Sequence, residues 1–302
     1  MKNKVVIIGT GNVGLSYAYA LINQPSYVNE LVLIDINQKR AIGEAMDLNH
    51  GMPFGPNHIL IKAGDYEDCQ NADIICICAG ANQEVGETRL DLINKNRVVF
   101  ADIIKQVMDH GFNGIFLVAT NPVDIMTFYT WQLSGLAHNR VIGSGTTLDT
   151  ARLRYELGQA TGISPKNIHA YVIGEHGDSE FVPWSSVIAG AQPITDFLAN
   201  DQLTTIEERV RTAAYHIINA KGNTSYGIGM CLVKITNAIL NDQNLILSVS
   251  CYDKINNLYL GMPAIINREG IKQKIKLTLT SSEENKLTNS IKTLKNAINS
   301  TK

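Results

Sequence analysis

The sequence predicts an α/β protein with a Rossmann-type, doubly wound parallel sheet and a second domain of the α+β class. Three observations support this fold class. Short apolar runs alternate with longer amphipathic stretches in the first half of the chain. A GxGxxG motif separates the first apolar run from the first amphipathic stretch. The pattern then changes after Gly143, where paired apolar runs and long helices follow.

The first half reads as crossover units of strand and helix. Its apolar runs lack polar alternation, which is typical of strands covered by helices on both faces. Strands are predicted at Val5–Ile8, Leu31–Ile34, Ile74–Ala79, Ile115–Val118 and Val141–Ile142. Helices are predicted at Gly14–Asn23, Gln38–Asn49, Leu90–Asp109 and Pro122–Ser134.

The second half contains a helix at Leu148–Thr161, a strand at Ile168–Ile173 and two long helices at Thr204–Lys221 and Tyr226–Leu240. Alternating runs at Leu245–Cys251 and Tyr259–Ile266 predict two further strands before an amphipathic terminal helix. No linker separates the halves, so we predict two closely joined domains, 1–143 and 144–302, with a cleft between them. The helix at 226–240 is expected to pack back on the first domain.

Composition gives no support for nucleic acid or a membrane as a partner. The formal net charge is −2, and the apolar runs are far shorter than a bilayer span. The first four residues lack the pattern of a signal peptide. The five cysteines form no CxxC pair, and the histidines show no metal-ligand spacing. These features predict a cytoplasmic protein with reduced thiols and no bound metal.

A dinucleotide site is predicted at the first strand–helix turn. Gly9, Gly11 and Gly14 form the GxGxxG motif, whose glycines permit a tight turn and close approach of a pyrophosphate to the helix N-terminus. Asp35 ends the next strand, near the ~20-residue offset at which a carboxylate reaches the adenosine ribose. Because a carboxylate there repels a 2′-phosphate, NAD is favoured over NADP. The alternative is a structural turn with an unrelated aspartate.

Three distant segments carry reactive side chains. Gly174-Glu175-His176-Gly177-Asp178 places a histidine between two glycines, and Leu148-Asp149-Thr150-Ala151-Arg152 places an aspartate and an arginine three apart on a helix. Ala79-Gly80-Ala81-Asn82-Gln83 and Gly86-Glu87-Thr88-Arg89-Leu90 form a polar loop after a strand. Taken singly, each has an ordinary alternative, such as a loop histidine or a solvated surface ion pair.

Together with Asn121-Pro122-Val123-Asp124 and the GxGxxG motif, these segments resemble the lactate/malate dehydrogenase family. The resemblance runs nearly from end to end. It implies NAD as cofactor and hydride transfer between the nicotinamide and a small 2-oxo or 2-hydroxy acid.

The resemblance also implies a role for each matching residue. His176 is the expected acid–base group, and Asp149 is expected to orient its imidazole and stabilise the protonated form. Arg152 is expected to bind the substrate carboxylate. Arg89 is expected to polarise the carbonyl when its loop closes. Substrate contacts are further expected from Asn121 and Thr224. The implied cofactor-binding residues are Gly9, Gly11, Asn12, Val13, Gly14, Asp35, Arg40, Tyr66, Gly80, Ala81, Ala119, Thr120, Asn121 and Ser144.

Gln83 decides between the branches of the family. Malate enzymes carry an arginine at the matching position, which pairs with a second substrate carboxylate. The neutral Gln83 beside Glu84 offers no such partner, and an unpaired carboxylate in a closed site is costly. The resemblance therefore favours lactate dehydrogenation, the reversible reduction of pyruvate to (S)-lactate that ends fermentative glycolysis. The alternatives are a malate dehydrogenase, an enzyme for bulkier 2-hydroxy acids and a non-catalytic NAD-binding protein.

A regulatory site is implied by Arg154 and His169. They resemble the two basic residues that bind fructose 1,6-bisphosphate across a subunit interface in many bacterial lactate dehydrogenases. The alternative is an ordinary surface arginine and a structural histidine. Because the first predicted strand begins at Val5, we expect no N-terminal arm of the kind found in vertebrate-type tetramers. We expect a homotetramer whose active form the bisphosphate promotes.

Overall fold

The computed structural model describes residues 3–81 and 89–300, apart from the side chain of Arg89. In this part of the chain, nine strands form one large sheet and three short strands form a second. Six strands of the large sheet are parallel neighbours. In chain order they are β1 (Lys4–Ile8), β2 (Glu30–Ile34), β3 (Leu60–Ala63), β4 (Ile74–Ile77), β5 (Ile115–Val118) and β6 (Val141–Gly143).

The order across the parallel part is β3-β2-β1-β4-β5-β6. This is the Rossmann order, in which the chain reverses direction across the sheet between β1 and β4 and leaves a crevice at the carboxyl ends of the strands. Its strands β4 and β5 are buried along their full length, as the uninterrupted apolar runs predicted. The predicted fold class is therefore confirmed.

Three antiparallel strands extend the same sheet. A long hairpin joins β10 (Leu245–Asp253) to β11 (Leu258–Asn267), and β12 (Gly270–Lys274) follows at the outer edge. Ser250 of β10 pairs antiparallel with Gly143 of β6. The C-terminal half of the chain thus adds strands to the N-terminal sheet. The small sheet contains β7 (Ile168–His169), β8 (Ile188–Ala189) and β9 (Gln192–Pro193).

Eight α-helices lie in the described residues. In chain order they are α1 (Asn12–Asn23), α2 (Gln38–Gly51), α3 (Arg89–Asp109), α4 (Val123–Ser134), α5 (Thr147–Thr161), α6 (Asn200–Lys221), α7 (Tyr226–Leu240) and α8 (Ser281–Asn299). Most predicted helices agree within a few residues. The prediction missed β3, because its sequence Leu-Ile-Lys-Ala is short and contains a lysine on the edge strand. It also missed β12, and the predicted strand at 168–173 contains only two strand residues.

Two hydrophobic clusters hold these elements. The larger surrounds the nine-stranded sheet and includes residues of both halves of the chain, such as Ile7, Leu117 and Leu260. The smaller lies among α5, α6 and the small sheet, around Leu157, Val187 and Ile206. Helix α7 packs on α1, where the buried hydroxyls of Tyr17 and Thr236 lie 2.5 Å apart. The described helices include none that is long and apolar enough to cross a membrane.

Candidate active site

The glycine-rich turn lies between β1 and α1. Gly9 has φ +100°, and a Cβ on Gly14 would lie 2.0 Å from the carbonyl oxygen of Gly9, so both positions require glycine. At Gly11, which precedes the first turn of α1, a Cβ would meet no described atom within 4 Å. The turn is therefore closed on the protein side and open beside Asn12 and the helix N-terminus. That space fits an anionic pyrophosphate.

Asp35 lies directly after β2 and is fixed beside the same turn. Its Oδ2 accepts hydrogen bonds from the backbone N of Thr10 at 2.7 Å and from the Thr10 hydroxyl at 2.8 Å. Its Oδ1 accepts one from the backbone N of Asn37 at 2.9 Å. Partial burial acts to raise the pKa of Asp35, but these hydrogen bonds outweigh it and lower the pKa. A charged carboxylate thus stands at the end of β2, where a ribose would be recognised.

Two other predicted cofactor residues flank this region. Arg40, in the first turn of α2, lies 3.5 Å from Glu44 through its Nε and remains largely exposed. Tyr66 begins a short 3₁₀ turn after β3, and burial followed by the charge of Asp102 raises its pKa to about 12. Its hydroxyl is therefore neutral at physiological pH and can act only as a hydrogen-bonding group.

The loops after β4 and β5 are joined by Asn96 of α3. This fully buried side chain accepts a hydrogen bond from the backbone N of Ala81 at 2.7 Å and donates one to the carbonyl oxygen of Asn121 at 2.9 Å. Asn96 was not among the residues predicted from the sequence motifs. The available signal was an asparagine at the helical spacing of the buried apolar face of an amphipathic helix.

The remaining predicted cofactor residues lie at the same carboxyl edge. Thr120 donates its hydroxyl to the carbonyl oxygen of Ala79 at 2.7 Å, and the backbone N of Ala119 donates to Ile77 at 3.0 Å. Ser144 follows β6, is buried, and donates its backbone N to Val118 at 2.8 Å. The carboxyl ends of β1, β2, β4, β5 and β6 thus present the predicted set Gly9, Gly11, Asn12, Val13, Gly14, Asp35, Gly80, Ala81, Ala119, Thr120, Asn121 and Ser144.

The structure brings together His176, Asp149 and Arg152. Asp149 is buried in the first turn of α5, and its Oδ2 lies 2.6 Å from His176 Nδ1. Its Oδ1 accepts a hydrogen bond of 2.7 Å from Arg152 Nη1, one turn along the helix. One buried carboxylate therefore contacts two basic groups, and the imidazole retains Nε2 as its second ring nitrogen.

The pKa values of this pair move in opposite directions. Burial acts to lower the pKa of His176, but the charge and hydrogen bond of Asp149 outweigh it, and the pKa is raised above 6.5. Burial acts to raise the pKa of Asp149, but His176 and Arg152 outweigh it, and the pKa is lowered. The pair therefore favours an ionised aspartate beside an imidazole that readily holds a proton.

Asp124 positions the backbone of His176. Its Oδ2 accepts a hydrogen bond from the backbone N of His176 at 2.7 Å, and its Oδ1 accepts one from the Ser250 hydroxyl at 2.6 Å. Asp124 is in the first turn of α4, whereas Ser250 is on β10. Burial raises the pKa of Asp124 to about 6. Asp124 belongs to one of the motifs that carry the family resemblance, but the sequence predicted no role for it.

Glu180 is a further buried acid beside this pair. Its side chain is 6 % exposed, and its Oε2 lies 3.9 Å from His176 Nδ1. Burial and then the negative charge of Asp149 raise its pKa well above the ordinary value. Asp149, His176 and Glu180 offer possible metal-ligand atoms within 4.8 Å of one another. The absence of a bound metal remains a prediction. No feature of the sequence distinguished Glu180 from a surface loop residue.

The other predicted site residues are placed less completely. Gln83 lies outside the described residues, and Arg89 is described only as the first residue of α3. Thr224 lies half-buried in the turn between α6 and α7. Arg154 donates its Nε to the carbonyl oxygen of Ala170 at 3.1 Å, next to the exposed His169. These placements bring Arg154 close to the chain segment of His169.

Comparison with known proteins identifies the family. Residues 3–143 match the family model "lactate/malate dehydrogenase, NAD binding domain", and residues 146–302 match "lactate/malate dehydrogenase, alpha/beta C-terminal domain". The chain is 51 % identical over 303 residues to L-lactate dehydrogenase 2 of Bacillus cereus, covering 97 % of this chain and 96 % of that protein. L-lactate dehydrogenase 1 of Bacillus anthracis is also 51 % identical, with the same coverage.

Solved structures agree with these sequence matches. A lactate dehydrogenase from a deep-sea metagenome library of the Medee basin is 50 % identical, with a TM-score of 0.96 over 99 % of both chains. The ligand-bound minor L-lactate dehydrogenase of Enterococcus mundtii is 44 % identical, with a TM-score of 0.97 over 100 % of this chain and 99 % of that one. With a dinucleotide turn, a matching fold and both halves of the sequence assigned to one family, the chain belongs to the lactate/malate dehydrogenases.

Proposed function

We propose that this protein is an NAD-dependent L-lactate dehydrogenase, which reversibly reduces pyruvate to (S)-lactate as the end step of fermentative glycolysis in the cytoplasm. The observation that carries the proposal is the double contact of Asp149 with His176 and Arg152. This arrangement supplies a proton and a carboxylate-binding group to a 2-oxo acid. Bound NADH supplies the hydride.

His176 acts as the proton donor during reduction. Because Nδ1 is held by Asp149, the protonated ring presents Nε2–H to the substrate oxygen. When the oxygen takes this proton, His176 becomes neutral, and in lactate oxidation the same nitrogen removes the hydroxyl proton. Asp149 stabilises the charged ring in either direction.

Arg152 and Arg89 orient the substrate. Arg152 uses Nη1 for Asp149, and we assign its remaining donors to the substrate carboxylate. This fixes the reacting carbon beside the nicotinamide, with Asn121 and Thr224 completing the pocket. By the family resemblance, we assign Arg89 to polarising the keto oxygen.

Pyruvate is preferred over oxaloacetate because Gln83 cannot neutralise a second carboxylate. Leaving that carboxylate unpaired in a closed site costs several kcal/mol, and each ~1.4 kcal/mol is a tenfold change. Gln83→Arg is therefore expected to shift the ratio of kcat/KM for oxaloacetate to that for pyruvate upward by at least about tenfold. An unchanged ratio contradicts this account of specificity. Gln83→Asn, which stays neutral, is the matched control.

One assay tests the proposal directly. NADH absorbance is followed with pyruvate, oxaloacetate and 2-oxoisocaproate in parallel, and chiral analysis of the product identifies (S)-lactate. The proposal expects the highest kcat/KM with pyruvate. A preference for oxaloacetate indicates a malate dehydrogenase, and a preference for 2-oxoisocaproate indicates an enzyme for bulkier acids. NADH binding without turnover of any acid indicates a non-catalytic relative.

We further propose that the protein is a homotetramer activated by fructose 1,6-bisphosphate at Arg154 and His169. The pKa of Arg154 is lowered by burial, and its guanidinium lies 5.4 Å from the ring centroid of Tyr171, so the cation is held in a fixed position. Exposed Lys166 lies on the same segment as His169. Clustered basic groups of this kind suit a sugar bisphosphate.

Exposed apolar side chains support assembly. Several large ones lie on the neighbouring helices α1, α2 and α7, namely Tyr19, Ile42, Met46, Tyr226 and Met230. Light scattering and pyruvate saturation with and without the bisphosphate test both proposals. We expect tetramers and a lower half-saturating pyruvate concentration with the ligand, and Arg154→Gln should abolish the shift whereas Arg209→Gln should not. Identical curves for the unsubstituted protein remove the proposed activation, and a monomer in both conditions removes the proposed assembly.

A further inference from the structure

A pair of thiols lies beneath the dinucleotide turn. Cys76 is on β4 and Cys78 is the first residue after it, and their Sγ atoms are 3.6 Å apart. Cys76 is fully buried, whereas Cys78 is partly exposed at the carboxyl end of the strand. The other three cysteines, Cys69, Cys231 and Cys251, are each buried.

A disulfide between the two requires the backbone to distort. Residues two apart on an extended strand have Cα atoms about 6.6 Å apart and nearly parallel Cβ bonds, whereas a disulfide needs Cβ atoms about 3.5–4.5 Å apart. Forming the bond would bring the sulfurs from 3.6 Å to about 2.05 Å, so the strand must contract locally. A bond formed under such strain is readily reduced, as is typical of regulatory disulfides.

The contraction would reach the cofactor turn through the backbone. The backbone N atoms of Cys78 and Ala79 both donate to the carbonyl oxygen of Ile8 at 2.8 Å. Gly9 follows Ile8, and the backbone N of Ala79 lies 2.4 Å from where a Cβ of Gly9 would stand. Displacement of Cys78 therefore displaces the first glycine of the dinucleotide turn.

The helix above the turn lies near the same pair. Tyr17 of α1 is fully buried, and burial, followed by the proximity of Cys76, raises the pKa of its hydroxyl. That hydroxyl is also bonded to Thr236 of α7. A change in the thiol pair thus acts on the packing of α1, whose N-terminus faces the pyrophosphate space.

We propose that Cys76 and Cys78 form a reversible oxidation site that responds to peroxides and weakens dinucleotide binding when oxidised. Partly exposed Cys78 reacts first: its thiolate attacks the peroxide, the O–O bond breaks, and a sulfenic acid forms. The departing hydroxide takes up the proton that the thiol had released and leaves as water. The sulfur of Cys76 then attacks Cys78 sulfur, forming the disulfide and releasing a second water. Two thiols lose two electrons, and one hydrogen peroxide is reduced to two waters.

The order of attack follows from burial. Burial, followed by the hydrogen bond and charge of Cys78, raises the pKa of Cys76 well above its ordinary value, which disfavours its thiolate. NADH bound over the turn is expected to shield Cys78. Oxidation should therefore be faster in the free protein than in its NADH complex.

The test treats the full-length protein with hydrogen peroxide and counts thiols by alkylation and mass spectrometry. We expect the five free thiols to fall by two, with the bond mapped to the peptide that contains Cys76 and Cys78. NADH fluorescence titration should give a Kd raised at least about tenfold. Dithiothreitol should restore the original Kd, and NADH added beforehand should slow the change.

Variants separate this site from general damage. The Cys78→Ser variant should keep its NADH affinity after peroxide treatment. The Cys76→Ser variant should stop at a sulfenic acid on Cys78, which dimedone traps. The Cys251→Ser variant is the control and should behave like the unsubstituted protein. The proposal is overturned if five thiols persist, if the disulfide forms without a change in Kd, or if Cys78→Ser loses affinity as fast as the unsubstituted protein. The thiol count and Kd of the unsubstituted protein decide the matter even if a variant fails to fold.

Discussion

Replacing Asp149 by Asn should disable proton transfer while leaving the shape of the site unchanged. The carboxylate of Asp149 accepts one hydrogen bond from Arg152 and lies against His176 Nδ1. An asparagine has a single carbonyl oxygen. With that oxygen on Arg152, its NH₂ meets Nδ1 and keeps this nitrogen unprotonated, so the charged ring that reduction requires is disfavoured.

The magnitude follows from the burial of the pair. Removing one partner of a buried, hydrogen-bonded ion pair costs about 3–5 kcal/mol. At about 1.36 kcal/mol for each tenfold change, kcat/KM for pyruvate should fall about 10²- to 10⁴-fold. The Kd of NADH should change little, because Asp149 is on α5 and the dinucleotide turn precedes α1.

The pH profile distinguishes loss of proton transfer from loss of structure. The pKa of His176 is raised in the folded protein, so reduction is fully active below that pKa and declines as pH rises through it. Lactate oxidation needs the neutral ring and has the opposite dependence. In Asp149→Asn the positive ring loses its partner, its pKa falls, and both limbs should move to lower pH.

Steady-state kinetics across pH 5–9 with pyruvate and with lactate give both profiles. Asp178→Asn is the matched control, because Asp178 lies two residues from His176 but accepts its hydrogen bond from the hydroxyl of Tyr215. The control should keep kcat/KM within about threefold, as surface substitutions usually do. A drop of less than tenfold in Asp149→Asn, with both limbs unmoved, refutes the proposed role of the pair.

Three further substitutions test the groups around this pair. Glu180→Gln should keep kcat/KM at pH 7 within about threefold, because burial and then the charge of Asp149 raise the pKa of Glu180 and favour its neutral form, which glutamine mimics. A loss above tenfold would show that the reaction needs the ionised carboxylate. Asp124→Ala should lower the free energy of unfolding in urea by about 2–6 kcal/mol, because the backbone N of His176 and the hydroxyl of Ser250 lose their acceptor. A change below about 1 kcal/mol contradicts this. Asp35→Ser should raise the ratio of kcat/KM for NADPH to that for NADH at least about tenfold, because it removes a negative charge that repels the 2′-phosphate of NADPH. An unchanged ratio argues against ribose recognition by Asp35.

Local sequence patterns predicted the Rossmann half of the fold. Uninterrupted apolar runs can be buried only under helices on both faces, and the glycine motif fixes a tight turn whose backbone no other residue tolerates. The family motifs also indicated His176, Asp149 and Arg152 as the reactive groups. The prediction of the fold class succeeded because it depends on neighbours within one segment, and the structure brings these three side chains together.

The sequence did not indicate that the C-terminal hairpin would extend the N-terminal sheet. The alternating runs at Leu245–Cys251 and Tyr259–Ile266 predicted strands but not their partners. The pairing of Ser250 with Gly143 joins positions more than a hundred residues apart. Strand pairing of this kind depends on which edge remains free after the parallel strands have assembled.

The fold class, the dinucleotide turn and the candidate reactive groups could all be predicted from local segments of the chain. The way in which those groups are held could not, because it depends on packing between distant segments. Asp124 reaches His176 across 52 positions and Ser250 across 126. The pKa of Glu180 is raised only because packing buries this side chain and places it beside Asp149. A side chain's burial and charge depend on atoms brought near it by packing, and those atoms cannot be identified from its own stretch of sequence.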